Sequence, residues 1–243
     1  MSTMPRTAVR GVALVLLFAP AAIAQECRDA TPAERLAIMR VLDTTRRVFE
    51  APLLAGDWQI ESRKTGEKAP IAIKPMPPRP LMTCQALYSV EFVMKPDSAA
   101  GKPHYAKWKA AMDSSDPTAV LGVAHDLNLV RFGIALGENM PYLREEIHSP
   151  MTRLTIPGVP IAYRVTAPPK EPGDDPVVHT YLFFGDWSAF PFDTNTYIPY
   201  RFAHPIGSPN IETLRVNISG LPEVVDPVIR HVDWAQMAAA LSR

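Results

Sequence analysis

Apolar and polar residues follow two different rhythms along this chain. The first is helical. Thr31 is placed to cap a helix, Pro32 suits its first turn, and Glu34 completes a capping box with Thr31. Leu36, Ile38, Met39, Val41, Leu42 and Val48 then form a broad apolar face running to about Phe49, and Pro52 is expected to end the helix. The same cap-then-proline start recurs at Asp116-Pro117 and Asp226-Pro227. It predicts a short helix over about 117–125 and a C-terminal helix over about 227–241. In the latter, Val228, Ile229, Val232, Ala235 and Ala239 share one side.

The second rhythm has a period of two. Tyr88, Val90, Phe92 and Met94 alternate with Ser89, Glu91 and Val93; Val130, Phe132, Ile134 and Leu136 alternate with Arg131, Gly133 and Ala135. Ile161, Tyr163 and Val165 form a third set, and Leu214, Val216 and Ile218 a fifth. The fourth, Val177 to Phe184, is apolar on nearly both faces and reads as a central strand. The turn-rich link from Ala167 to Pro176 suits a long hairpin between the third and fourth. The pattern predicts an α+β protein, with a mainly antiparallel sheet of about five strands packed by N-terminal and C-terminal helices. Residues 64–80 interrupt it: Lys64, Lys68, Lys74 and Arg79 are interleaved with five prolines, as expected of an extended, exposed crossing close to polyproline II.

The first 24 residues read as a removable leader. Arg6 and Arg10 precede an apolar run from Gly11 to Phe18, and Ala22-Ile23-Ala24 supplies a signal-peptidase pattern. The run is shorter than the roughly 20 apolar residues of a membrane span, so no integral span is expected after cleavage. Removing 24 of 243 residues leaves a single α+β domain expected over 25–243, bound for the periplasm or the exterior. An oxidising compartment makes a Cys27–Cys84 disulfide the expected state of the two cysteines.

Composition removes several functions. The 25 basic and 25 acidic side chains balance, which argues against a nucleic-acid binder. Two cysteines cannot build a four-cysteine zinc site, and no nucleophile elbow, zincin helix, P-loop or dinucleotide fingerprint is present. Neither a cofactor nor a bound metal is expected. Glu145 and His148 have the spacing of two ligands on one helix face, but Pro141 and Pro150 leave no long helix to carry them.

The candidate contact surface is the proline-interrupted loop over 185–210, too long to be a mere connection. Its aromatic residues want burial, while Trp187, Tyr197 and Tyr200 pair flat faces with polar handles. Asp186, Asp193, Arg201 and His204 add hydrogen bonds or proton transfer. His179, in register with Tyr181 and Phe183, reads as a hydrogen-bonded core histidine. His104, His125 and His231 have no evident role. Two functions follow: a non-enzymatic envelope protein that binds a small molecule or a protein partner through this loop, or a hydrolase pairing Asp186 or Asp193 with His204. A structural assembly factor using the 64–80 stretch is a third.

Overall fold

The computed structural model describes residues 27–29, 31–65, 68–70, 87–114, 116–138, 142–143, 151–167, 175–187, 198–199, 202–204 and 209–241. In chain order these form β1 (Cys27–Asp29), α1 (Pro32–Thr45), a π-helical turn (Arg46–Glu50), α2 (Ala51–Ala55), β2 (Trp58–Thr65), β3 (Lys68–Pro70) and β4 (Leu87–Met94). Next come α3 (Gly101–Asp113), α4 (Pro117–Gly122), α5 (Ala124–Leu129), β5 (Arg131–Glu138), β6 (Tyr142–Leu143), β7 (Met151–Leu154), β8 (Ile161–Thr166) and β9 (Val178–Phe184). The remainder is β10 (Ile198–Pro199), β11 (Leu214–Gly220), α6 (Pro222–His231) and α7 (Trp234–Ala239). The leader, Cys84 with its expected disulfide, the Glu145/His148 pair, residues 71–80 and most of the 185–210 loop lie outside the described residues.

The α+β class and the antiparallel sheet are as expected. The main sheet has seven strands, in the order β2-β4-β5-β11-β9-β8-β7, each neighbouring pair antiparallel. The two unforeseen strands, β2 and β7, are the edges, where only one flank is paired and polar residues are tolerated. β9 lies inside the sheet, and the Ala167 N–H donates to the Val177 carbonyl to close its hairpin with β8. Part of the 64–80 crossing is also strand: Lys64 belongs to β2, and β3 pairs with β1, setting Pro70 opposite Cys27.

Helices cover one face of the sheet. The Thr31–Glu34 capping box is formed, with Glu34 accepting from the Thr31 N–H at 2.7 Å. Ala37, Ile38, Val41 and Leu42 are buried, but Leu36 is 74% exposed and lies off the core stripe. Pro52 does not end the helix. It sits in the first turn of α2, where the π-turn before it widens the backbone, with the Ala51 N–H reaching back to the Arg46 carbonyl. A regular turn would set the proline ring against the carbonyl four residues back.

The C-terminal helix is two helices. α6 begins at Pro222, so Pro227 is interior and Asp226 is not a cap; Asp226 pairs with Arg164 instead. The chain breaks at Val232, and Asp233 caps α7 by accepting from the Ala235 N–H. That break shifts the periodicity, so Trp234, Met237 and Ala240 face the core while Ala235 and Ala239 do not. The helix expected over 117–125 is likewise split into α4 and α5, with Asp116 accepting from the Thr118 N–H at 2.9 Å. α3 has no counterpart in the expected elements, because most of it is exposed and it carries no apolar stripe.

The core lies between the helices and the even-numbered residues of the central strands: Val90, Phe92, Phe132, Ile134, Leu182, Phe184, Val216 and Ile218. Phe49, from the π-turn, plugs into it with its ring 5.9 Å from Phe92 and 6.1 Å from Trp234. Full burial of such a ring stabilises by about 1.5–3 kcal/mol. The sheet is therefore anchored from one side, and the odd-numbered residues of the same strands point to the other.

Candidate functional site

Because strand residues alternate, the register determines which side chains share the outer face. One row crosses all seven strands there: Ser62, Glu91, Gly133, Ser219, His179, Val165 and Met151. The next row carries Lys64, Ser89, Ala135, Asn217, Tyr181, Tyr163 and Arg153. The face thus has two halves. Toward β8 and β9 it is apolar, with Ile161, Tyr163, Val165, Phe183 and Trp187 buried together. Toward β4, β5 and β11 it is lined by small and polar side chains.

A cleft of about 310 Å³ opens over that polar half, lined among others by Glu61, Glu91, Asn128, Arg131, His179 and Ser219. Three local devices shape it. Gly133 puts no side chain between Glu91 and Ser219, and a Cβ there would come within 3.2 Å of the Ser219 Oγ. A bulge in β2 between Ile60 and Ser62 places Glu61 where it meets Arg131 at 3.0 Å. At the rim, Asp175 accepts from Asn128 at 3.3 Å and pairs with His125 at 2.8 Å, tying α5 to the entry of β9.

Glu91 accepts one hydrogen bond, from the Ser62 hydroxyl at 3.0 Å. His179 is half-buried, and its Nδ1 is sealed from solvent with no partner among the described residues. The expectation of a hydrogen-bonded core histidine is corrected on that point. Burial holds its imidazole below the ordinary value, so the ring is neutral near pH 7. A proton on the sealed Nδ1 would be an orphan donor, which places it on Nε2. In the adjoining row, Asn217 Oδ1 is also sealed and unpartnered. Burial raises Tyr181, with Arg215 opposing the shift.

The loop residues fare differently. Trp187 is 9% exposed, donates from Nε1 to the Phe184 carbonyl at 3.2 Å and meets Phe183 edge-on at 5.8 Å. Its ring belongs to the apolar half of the outer face. His204 Nδ1 pairs with Glu212 at 2.9 Å, and Glu212, 6% exposed, also accepts from the backbone N–H of Ala203 and His204. Among the described residues, the carboxylate partner of His204 is thus Glu212. Asp186 is described; Asp193, Tyr197, Tyr200 and Arg201 lie outside the described residues.

A third histidine, His104, pairs with Asp126 at 2.8 Å, and Lys107 reaches the same oxygen at 2.9 Å, joining α3 to α5. These bonds hold the Asp126 carboxyl below the usual range, the Lys107 bond most of all. Among the described residues, no cluster of three or more His, Cys, Asp or Glu side chains is arranged to hold a metal ion, and no helix is long and apolar enough to cross a membrane. Glu91, Ser219 and Asn128 were not singled out by sequence, since only strand register and the α5 packing bring them to one cleft. Comparison with family models, with curated proteins and with solved structures returns no match to this chain.

Proposed function

We propose that the protein is an exported, non-enzymatic binding module of the cell envelope, which takes a small polar ligand in the outer-face cleft. The observation that carries this reading is the cleft itself. It is concave, floored by a rigid sheet, and presents Glu91 and Ser219 beside a neutral histidine. Small-molecule sites are typically preformed hollows with a few convergent polar groups on rigid elements. Export rests on the leader expected over 1–24, and the Cys27–Cys84 disulfide belongs to the same reading.

The hydrolase alternative has less support, because His204 is engaged by Glu212 in anchoring the loop. A thermal-shift screen of the mature chain, residues 25–243, against sugars, cell-wall fragments, acyl compounds and metals tests the proposal. A ligand at 100 times its Kd adds about 2.7 kcal/mol, or roughly 5–10 °C for a chain of this length. The expected result is a shift that Ser219→Val abolishes and Tyr200→Ala with His204→Ala leaves intact. The opposite pattern would move the site to the 185–210 loop, and silence across the panel would favour a protein partner.

A further inference from the structure

We infer that the ligand of this cleft carries a primary ammonium group, held by the Glu91 carboxylate, with a hydroxyl group beside it that reaches Ser219. The inference rests on the cleft being the binding site, as proposed above, and names the ligand class.

The argument is one of charge and spacing. Two carboxylates and one guanidinium line the cleft, and the guanidinium of Arg131 is already held by Glu61 at 3.0 Å. At the rim, outside the lining, Asp175 accepts from the Asn128 amide at 3.3 Å and meets the His125 ring at 2.8 Å. His179 is kept neutral by burial and adds no cation at neutral pH. Glu91 receives only the neutral Ser62 hydroxyl, and among the described residues no Lys, Arg or His forms an ion pair with it. Its diagonal neighbour on β2, Lys64, is not paired with it among the described residues. The lining therefore presents one negative charge without a counter-charge. An anionic ligand would meet that charge with no unengaged cation in the lining to offset it. An ammonium would replace water at the carboxylate with shorter, stronger charge-assisted bonds.

Spacing narrows the class. Glu91 and Ser219 stand two strands apart in one row, about 10 Å between backbones, with only Gly133 between them. From one end the Ser219 Oγ leans over Gly133, within 3.2 Å of where a Cβ would lie, while the Glu91 carboxylate leans toward Ser62. What remains suits an amine and a hydroxyl a few bonds apart, as in an amino alcohol or an amino sugar. His179, next in the row after Ser219, adds a neutral polar neighbour on the same side.

The test is an NMR titration of the 15N-labelled mature chain with ethanolamine and glucosamine, using N-acetylglucosamine and acetate as controls. The amines are expected to move the amide signals of Glu91, Gly133 and Ser219 saturably. Acetylating the sugar amine should weaken the response at least tenfold, and so should Glu91→Gln, a surface change whose fold is checked by circular dichroism. If N-acetylglucosamine or acetate moves those signals as strongly as the amines, the cleft stands and the amine class is overturned. If the amines bind Glu91→Gln as well as the parent, the role of Glu91 is overturned. If no probe moves the cleft signals, the amine class and the cleft reading fall together.

Discussion

On β5, Phe132, Ile134 and Leu136 face the helices, while Arg131, Gly133 and Ala135 face the other way. On β11, Leu214, Val216 and Ile218 are buried inward, while Arg215, Asn217 and Ser219 point outward. The two faces share the same backbones and differ only in the parity of the residue number. Inward, Phe92 and Phe132 stack at 4.9 Å and Phe49 closes over them. Outward, at the same strands, the side chains shrink to Gly133 and Ser219 and a cleft opens. The packed face gives the sheet enough rigidity for the polar half of the outer face to hold its side chains in place. The outer face repeats the contrast along the row, closing over apolar residues at β8 and opening where His179 gives way to Ser219.

The comparison breaks most visibly at Phe49. Phe49→Ala removes the ring that joins the helices to the sheet and is expected to cost about 3–5 kcal/mol, read from denaturant midpoints. Second is Gly158, at φ 78° in the turn before β8. A Cβ there would lie 2.7 Å from the Ala235 backbone nitrogen of α7, so Gly158→Ala should lose about 1–3 kcal/mol, seen as a lower Tm.

The outer face is sharpened by pH. The folded His179 ring protonates below the unfolded value of about 6.5, so the unfolded chain takes up its proton first. Its contribution to stability is complete above that pH and is lost as pH falls from about 6.5 toward the lower folded value. Denaturant midpoints of the parent should decline over that window more steeply than those of His179→Gln; parallel curves would mean the ring is not desolvated. The smallest effect belongs to the cleft. Glu91→Gln should change stability by less than about 0.5 kcal/mol while removing amine binding, which separates function from folding on one strand.

Much of the inner face was legible because burial demands apolar residues at a fixed period. Tyr88, Val90 and Phe92 announce β4 directly, and the Thr31–Glu34 box announces α1. The edge strands were not legible, since β2, with Glu61, Arg63 and Lys64, has only one paired flank and a partly solvated face. α3 was silent because it buries little beyond Gly101 and Ala111. The cleft was hardly legible at all. Glu91, Ser219 and His179 are separated by scores of residues; Glu91 and Ser219 each resemble any solvated strand position, and His179 reads as a core residue.

The chain by itself determined the class of the fold, the parity of its central strands and the start of its first helix, because these follow from local capping and from the cost of exposing apolar surface. Tertiary structure alone decided the order of the strands, the widened turn that carries the helix past Pro52, and the row that sets Glu91, Gly133, Ser219 and His179 side by side. Those depend on which distant strands pair and in what register, and a local pattern of apolar and polar residues carries almost no record of its partner.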